Sequence, residues 1–535
     1  MKAENTIPLV IGVTGHRALR PEDRTVLYDA VRTELAALMH RYPNTPFRML
    51  NSLAEGADLL CAEAAEALGI PLIAALPMEL SLYEQDFSSE ACAALHHYCE
   101  TAEQVFIVPA SESLPEQTSM SHRSFCFRQA GIYMALHCHV LLALWDGHPG
   151  SSGCGTAEAV AFALSGDYHP DTDLPPRCEI NELVVHILTP REETSPDIAG
   201  TVRYLGNEAA VGQILRDTDS FNRLASAVSV SDRRLLPEDM PQDPCIRRME
   251  QVYRAASGIC RNAANRYRRT LALLAVVGSV LTMAFLLYDE ARLIWMILIC
   301  GAMLLSAWLC QRYAVRSACQ KLYLECRALA EALRVQLFLR YAGSGRNVAD
   351  LLSWSQREET PWILTSLSAL HIGPVPDVRH PIRDCWAENQ KAYHLRAGIK
   401  ASASLSVSER TVRTALFVSV AMYLLAVLFE MIAGGELLKP RFPVADPELW
   451  RTVLKIVLGS ISAITLFIAN YFGKQSLQRK QSDHAKMAHF YAVMSERISR
   501  CGQTDALLTE LAREELIENG NWVSYQRDNT PDFSI

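Results

Sequence analysis

The chain has 535 residues, of which half are hydrophobic and 21% are charged. This length exceeds the roughly 300 residues that one hydrophobic core serves, and this composition excludes a disordered chain. The net charge of −8 hides a division, because residues 1–240 carry −17 and residues 241–535 carry +9. The 15 cysteines include no CxxC pair, which favours free thiols in a reducing compartment over a disulfide framework.

Short apolar runs alternate with helical patterns through the first 206 residues. This alternation predicts an α/β, Rossmann-like domain with a parallel sheet covered by helices on both faces. The predicted strands are 8–13, 47–53, 71–77, 105–109, 140–145 and 182–188. In open sheets of this kind, ligands bind at the carboxyl ends of the strands, where helix N-termini point at the ligand.

The residues that follow several of these strands suit a nucleotide-like ligand. Gly15 allows the backbone to approach a ligand closely, and Arg17 suits a bidentate contact with a phosphate. Gly155 and Thr156 place amide groups and a hydroxyl at a helix start, and the acids of the loop 55–58 suit ribose hydroxyls. The predicted ligand-binding residues are Thr14, Gly15, His16, Arg17, Glu55, Gly56, Asp58, Tyr83, Asp86, Arg128, Asp146, Gly153, Gly155, Thr156 and Glu158.

Each of these loops, taken alone, also fits ordinary turn and helix-cap chemistry, and only their combination favours a nucleotide-like ligand. Two groups of histidine and cysteine, at 96–99 and 137–139, have no second ligand pair at a metal-binding spacing. We therefore interpret them as helix or core residues and predict no metal site. The sequence has no Walker loop, no GxSxG motif and no HExxH motif.

Four apolar runs in the second half are long enough to cross a bilayer. They cover residues 271–288, 293–310, 414–433 and 456–473. A hydrocarbon core needs about 17–25 helical residues, and arginine or lysine brackets each run. The pattern predicts an all-α membrane domain of four transmembrane helices in two hairpins, with buried helices of a large soluble core as the alternative.

The charges around these runs predict their orientation. Basic residues cluster before the first and third runs and after the second and fourth, whereas the loop 289–292 has one arginine and two acids. The positive-inside bias then places both termini and the segment 311–413 in the cytoplasm. Within the spans, Ser462 and Thr465 share a helix face, which fits either helix packing or a pore lining. Glu430 is predicted as an interfacial acid at the outer end of its span.

The predicted domain order follows from these patterns. The two hairpin units resemble each other, which suggests a tandem repeat. The segments are a nucleotide-binding domain at 1–206, a helical connector and linker at 207–245, a first helix-hairpin-helix unit at 246–343, a cytosolic connector at 344–383, a second such unit at 384–502 and a C-terminal tail at 503–535.

Four motifs, in order, resemble the SLOG superfamily: GVTGHR at 12–17, SLAEGAD at 52–58, LWDG at 144–147 and GCGTAEAV at 153–160. That superfamily includes the cytokinin-activating LOG nucleotide hydrolases, the DprA-like DNA-processing proteins and the cytoplasmic domain of TRPM channels. The membrane half is similar to the SLATT class of two-span effector modules of bacterial conflict systems. Together these resemblances imply an antiviral defence effector in the bacterial inner (cytoplasmic) membrane.

The resemblance implies that the SLOG domain senses a nucleotide-derived second messenger, a cyclic nucleotide or an ADP-ribose derivative, with no other cofactor. The protein would then oligomerise or open and disrupt the membrane by pore formation. Its implied partners are the lipid bilayer, the ligand, further copies of the chain and a separate enzyme that makes the signal, with no nucleic acid. A membrane-tethered LOG-like nucleotide N-glycosidase or phosphoribohydrolase and a ligand-gated ion channel are the alternatives.

One departure from the family pattern bears on catalysis. LOG hydrolases carry a glutamate three residues after the threonine of their glycine loop, where this chain has Ala159, and its acid, Glu158, comes one residue earlier. One residue turns a helix by about 100°, so Glu158 points elsewhere than the family's acid. Arg128 is the counterpart of the family's arginine if the protein is a hydrolase. The departure favours ligand binding over hydrolysis.

Overall fold

The computed structural model describes residues 5–109, 121–149, 154–165, 183–191, 198–229, 234–236, 243–376, 378–434, 446–473 and 477–527. The chain forms two compact units, and both are built from separate stretches of sequence. The first unit contains 1–259, 325–381 and 505–520, and the second contains 260–324, 382–504 and 521–535.

A seven-stranded sheet forms the centre of the first unit. Its strands are β1 (Leu9–Gly15), β2 (Phe47–Asn51), β3 (Leu72–Leu76), β4 (Gln104–Ile107), β5 (Val140–Trp145), β6 (Leu183–Leu188) and β7 (Val202–Gly206). Their order is β4-β3-β2-β1-β5-β6-β7, and all neighbours are parallel except β6 and β7. The predicted α/β fold class is confirmed.

The helices of the α/β region connect these strands. They are α1 (Arg24–Arg41), α2 (Ala57–Ala67), α3 (Leu80–Tyr83), α4 (Ser89–Thr101), α5 (His122–His137), α6 (Thr156–Ser165) and α7 (Glu208–Ala227). Alternate residues of a strand face opposite sides of a sheet, and β1 shows this clearly. Leu9 and Ile11 pack with α1, α2, α4 and α7 on one face, whereas Val10 packs with α5 and α6 on the other.

The helices that follow α7 are divided between the two units. The remaining helices are α8 (Pro244–Asp289), α9 (Met296–Ser317), α10 (Cys319–Tyr341), α11 (Val348–Leu351), α12 (Trp354–Glu359), α13 (Pro361–Leu370), α14 (Asn389–Gly434), α15 (Pro447–Gly473), α16 (Leu477–Cys501) and α17 (Asp505–Arg527). Ala369 and Ile372 complete the core between the sheet and α5. Arg340 of α10 pairs with Asp243 at 2.6 Å, and Arg334 pairs with Glu515 of α17.

The second unit holds the apolar hairpins. Four helical stretches are long and apolar enough to span a membrane: Pro244–Asp289, Met296–Tyr341, Arg383–Met431 and Glu448–Cys501. They contain the first and fourth predicted spans. The second stretch begins at Met296, after a turn in which Arg292 has a φ of 53°, and the third ends at Met431, short of residue 433. These helices indicate a membrane protein.

The exposure of these helices argues against the soluble-core alternative. In the apolar windows of the first two stretches only 33% and 11% of residues are buried, and in those of the last two none is. A helix in the core of a soluble protein would be buried on most sides, so this apolar surface fits contact with lipid. The apolar faces that remain open are therefore the surfaces that a bilayer would cover.

Close packing joins two of the spans. A Cβ added at Gly278 of α8 would lie 2.5 Å from the ring of Phe467 in α15, so the absence of a side chain permits this contact. Thr465 of α15 lies 3.3 Å from the Ser419 hydroxyl of α14, which is a helix-packing contact. Glu430 forms a bidentate ion pair with Arg451 at 2.8 and 2.9 Å.

The close approach of β1 to α2 at Gly15 yields a stability prediction. A Cβ at Gly15 would lie 2.3 Å from the Cβ of Ala57, a contact that no side-chain rotation can relieve. We expect Gly15→Ala to lower the melting temperature of the full chain in detergent, by overpacking that costs about 1–3 kcal/mol or more. The control is Gly69→Ala, where φ is 66° but nothing lies within 4 Å. Equal losses in both variants would contradict the packing argument.

Candidate functional site at the switch point of the sheet

The strand order reverses between β1 and β5, which is where open α/β sheets bind ligands. His16 follows β1, and its N–H donates to the Leu144 carbonyl at 3.0 Å. The Asp146 N–H, after β5, donates to His16 Nε2 at 3.0 Å. Burial lowers the pKa of His16 despite the nearby Asp146 carboxylate, so the imidazole is neutral with Nε2 as an acceptor. The structure therefore brings His16 and Asp146 together at the switch point.

The loop after β2 closes against the loop after β1. The Ala57 N–H, at the start of α2, donates to the His16 carbonyl at 3.0 Å. Gly56 has a φ of 90°, and a Cβ there would lie 2.1 Å from the Arg17 carbonyl oxygen. Only glycine combines this backbone conformation with so close an approach.

Asp58 lies beneath this loop, not on its surface. The residue is 5% exposed, and its Oδ2 accepts the Ala54 N–H at 3.2 Å. Asn51 braces the same turn by donating to the Asp58 carbonyl at 2.8 Å. Burial raises the pKa of Asp58 to about 7, while the Ala54 N–H and Arg17 act in the opposite direction. The side chain predicted to contact ribose is thus an internal brace in this structure.

A cluster of charged and aromatic groups covers the loop. Arg17 Nη1 lies 3.4 Å from Asp86 Oδ2, and Arg123 Nε donates to the same oxygen at 3.0 Å. The hydrogen bond from Arg123 is the main reason why the pKa of Asp86 is lowered. The Arg17 guanidinium also stands 4.8 Å from the centroid of the Phe127 ring. Two arginines therefore share one carboxylate here.

Two of the predicted residues face the protein instead. Tyr83 is 1% exposed, and its ring packs edge-on against Phe87 with centroids 4.9 Å apart, so it offers no stacking surface. Burial is also the main cause of its raised pKa. Glu55 accepts a hydrogen bond from the Ser88 hydroxyl at 2.6 Å, and Ser88 caps α4.

The N-terminus of α6 follows β5. Thr156 is its first residue, and the Gly155 carbonyl accepts the N–H groups of Glu158 and Ala159 at 3.1 Å. Glu158 Oε1 lies 3.2 Å from Arg128 Nε, so the structure pairs the two residues that the hydrolase alternative requires. Ala159 is buried and packs against Gly131 of α5, where an added Cβ would lie 3.2 Å from the Cβ of Ala159.

Gly153 lies outside the described residues, and Thr14 pairs with Ala143 inside the sheet. Sequence reasoning missed Arg123 and Phe127, which lie in the first two turns of α5. The signal that points to them is the rule that helices in α/β sheets begin at the ligand edge. Among the described residues, no group of three or more His, Cys, Asp or Glu is placed to hold a metal.

No protein-family model matches the chain. No curated protein matches it.

The raised pKa of Asp58 predicts a pH-dependent stability. Between about pH 4 and pH 7 the folded protein keeps a proton that the unfolded chain releases, so this group makes stability fall as the pH rises across that window. Asp58→Asn keeps an acceptor for the Ala54 N–H and removes the charge. We expect the variant to melt at a higher temperature than the parent at pH 8 and to depend less on pH. Melting curves of the full chain at pH 5 and pH 8 measure this.

Asp86→Asn is the matched control because the pKa of Asp86 is lowered in the folded protein. Its stabilising contribution is present above its unfolded pKa and is lost as the pH falls, so this variant should be less stable than the parent at pH 8. If Asp58→Asn also lowered the melting temperature at pH 8, Asp58 would be a favourable charge in the folded protein and the interpretation would be wrong.

Proposed function

We propose that this protein is a membrane effector that senses a nucleotide-derived ligand with its α/β domain and responds through its four apolar helices. The observation that carries the proposal is the cluster of Arg17, Asp86 and Arg123, which follow β1, β3 and β4 on the side of the sheet next to its switch point. This chemistry suits a phosphate, and the same chain holds two exposed apolar hairpins.

The ligand's phosphate competes with Asp86 for the two arginines. Arg17 is 40% exposed, and its 3.4 Å contact with Asp86 is long for a charge-assisted hydrogen bond, so it is the more available of the pair. Arg123 lies in the first turn of α5, where the helix dipole adds positive potential. A nucleotide phosphate bound there shifts the equilibrium only through such differential contacts.

Helix α5 offers a path from this cluster to the segment before the second hairpin. Arg123 lies at its N-terminus, and Ala130 and Met134 pack in one core with Ala369 and Ile372. Farther along, the Tyr133 hydroxyl accepts the Gly373 N–H at 2.9 Å. Residues up to Pro381 belong to this unit, and the chain then continues into α14. A shift of α5 on ligand binding therefore acts directly on the stretch that leads to the third span.

The finer parts of the proposal depend on charge patterning and on the resemblance to SLOG and SLATT proteins. The positive-inside bias supports cytoplasmic termini, where the α/β domain meets a cytosolic signal. The resemblance supports a bacterial inner membrane, antiviral defence, a separate enzyme that makes the second messenger, and oligomers that disrupt the membrane. A cyclic nucleotide or an ADP-ribose derivative is the proposed ligand class.

One contact favours a second function, a membrane-tethered nucleotide hydrolase. Glu158 and Arg128 form an ion pair at the start of α6, beside the switch point. A glycosidic bond held there would need this carboxylate within hydrogen-bond reach of the reacting group. Product analysis separates the two functions, because a sensor leaves its ligand intact.

The sensor proposal predicts a specific loss in Arg17→Ala. The full chain in detergent is incubated with cyclic nucleotides and ADP-ribose derivatives, and the melting shift and product mass are recorded. A ligand should raise the melting temperature, and Arg17→Ala should bind it at least about tenfold more weakly, because a charged hydrogen bond is lost. Arg24→Ala is the control, since Arg24 pairs with Glu63 on the surface at 2.6 Å.

Two results would contradict this proposal. If Arg17→Ala bound as tightly as the parent, the cluster would not be the ligand site. If the ligand were split into base and sugar phosphate, and Glu158→Gln stopped the reaction, the hydrolase function would replace the sensor.

The path along α5 predicts a variant that binds but responds poorly. Tyr133→Phe removes the acceptor of the Gly373 N–H and keeps the ring that stacks on His137. We expect an affinity within about threefold of the parent and several-fold less ligand-induced dye release from liposomes, because one buried hydrogen bond is worth about 1 kcal/mol. The control is Tyr98→Phe in α4, which loses a hydroxyl 3.5 Å from the Glu66 carboxylate of α2. Undiminished dye release in Tyr133→Phe would exclude this path.

A further inference from the structure

A basic groove lies at the arginine-rich end of the first hairpin, between α8 and α9. Its volume is about 380 Å³. Arg266, Arg269 and Thr270 line it from α8, and Leu309 and Tyr313 line it from α9. The α8 residues recur at helical spacing, so they share one face. The groove therefore has one polar helix turn on one wall and an apolar and aromatic wall opposite.

The arginines of this groove have no acidic partner in the part of the chain that the structure describes. Arg266 and Arg269 are exposed, and no carboxylate of the described residues pairs with either guanidinium. None of the described residues that line the groove is acidic. The Thr270 hydroxyl donates to the Arg266 carbonyl at 3.0 Å. Two unshared guanidinium groups at this spacing form a site for an anion such as a phosphate.

The apolar wall continues into the span. Leu273, one turn beyond Arg269, is 48% exposed, and Leu309 is 51% exposed. On the same turn of α9, Arg312 stands 5.2 Å from the Trp308 ring, and such aromatic residues are typical of a membrane interface. An occupant of the whole groove thus needs an anionic head and an apolar tail, which a soluble phosphate lacks.

The second hairpin has a groove in the corresponding place. It has a volume of about 950 Å³. It lies beside the part of α14 that precedes the third span and the end of α15 that closes the fourth span. Arg413, Arg479 and Lys486 line it together with Phe472. Its acids, Glu409 and Asp483, each lie 3.8 Å from an arginine, so Lys486 is the cation without a carboxylate partner among the described residues. The same combination of cations and apolar wall therefore occurs twice.

We propose that the groove of Arg266 and Arg269 binds the phosphate headgroup of an anionic phospholipid, with its acyl chains along Leu273 and Leu309. Basic pockets between transmembrane helices at the cytoplasmic face recognise anionic headgroups in this way. The site goes beyond the proposed nucleotide sensor and does not depend on it. It ties the base of the first hairpin to the lipid composition of the leaflet.

The test uses the full chain, delipidated in detergent, with native mass spectrometry to count bound lipids. Phosphatidylglycerol is titrated against phosphatidylcholine with the same acyl chains. The test variant is R266Q/R269Q. The control is R261Q/R268Q, which removes the same charge from two exposed arginines of α8 that do not line the groove. Circular dichroism and size-exclusion profiles check that both variants fold.

We expect the parent to prefer phosphatidylglycerol and R266Q/R269Q to bind it about tenfold more weakly, while R261Q/R268Q stays within about twofold of the parent. Equal losses in both variants would show a diffuse charge effect and overturn the site. Equal binding of phosphatidylcholine by the parent would overturn the headgroup preference. Displacement of the lipid by millimolar glycerol 3-phosphate would show a soluble phosphate ligand and overturn the lipid assignment.

Discussion

The close approach of three backbone segments at the reversal of the sheet is the constraint on which the candidate site depends. Gly15 lets β1 touch the start of α2, and Gly56 lets that loop cross the Arg17 carbonyl. The Ala57 N–H then fixes the His16 carbonyl, and the Asp146 N–H fixes the His16 ring. Because these contacts set the direction in which the chain leaves β1, they also decide where the Arg17 side chain can reach. A bulkier residue at either glycine would separate the loops and disperse the cluster.

The Asp86 carboxylate is the counter-ion of both arginines in the cluster. Asp86 holds Arg17 and Arg123 close together, and the centroid of the Phe127 ring lies 4.8 Å from the Arg17 guanidinium. One carboxylate for two guanidinium groups leaves a positive excess, so the phosphate of the proposed ligand would meet donors that are already oriented. Under the proposed function, the ligand would replace the Asp86 contact, so the free and bound states would differ in their contacts, as a switch requires.

The predictable parts of this molecule are those with a local signal. The run Val140–Trp145 and the four spans are recognisable because their apolar residues are continuous, and the glycine loops are recognisable because glycine has few other uses there. β7 is short, largely exposed and antiparallel to β6, so its sequence has no apolar pattern from which a strand could be predicted. The burial of Asp58 depends on how its turn folds, because its carboxylate accepts the Ala54 N–H within that turn. The position of Arg123 depends on Asp86, which is distant in the sequence. The sequence shows which residues are charged, but it does not show in which direction their side chains point.

The division of the chain into two units bears on the proposed response of the hairpins to a ligand. The first unit ends at Ile259 and resumes at Glu325, and it ends again at Pro381 and resumes at Asp505. Each hairpin is therefore covalently attached to the sheet-containing unit at both of its ends. The buried pairs of Arg340 with Asp243 and of Arg334 with Glu515 hold those attachment segments within that unit. Removing one partner of a buried pair is costly, so these contacts stabilise the attachment segments that they join. Under the proposed function, a rearrangement at the switch point would reach each hairpin through these covalent attachments.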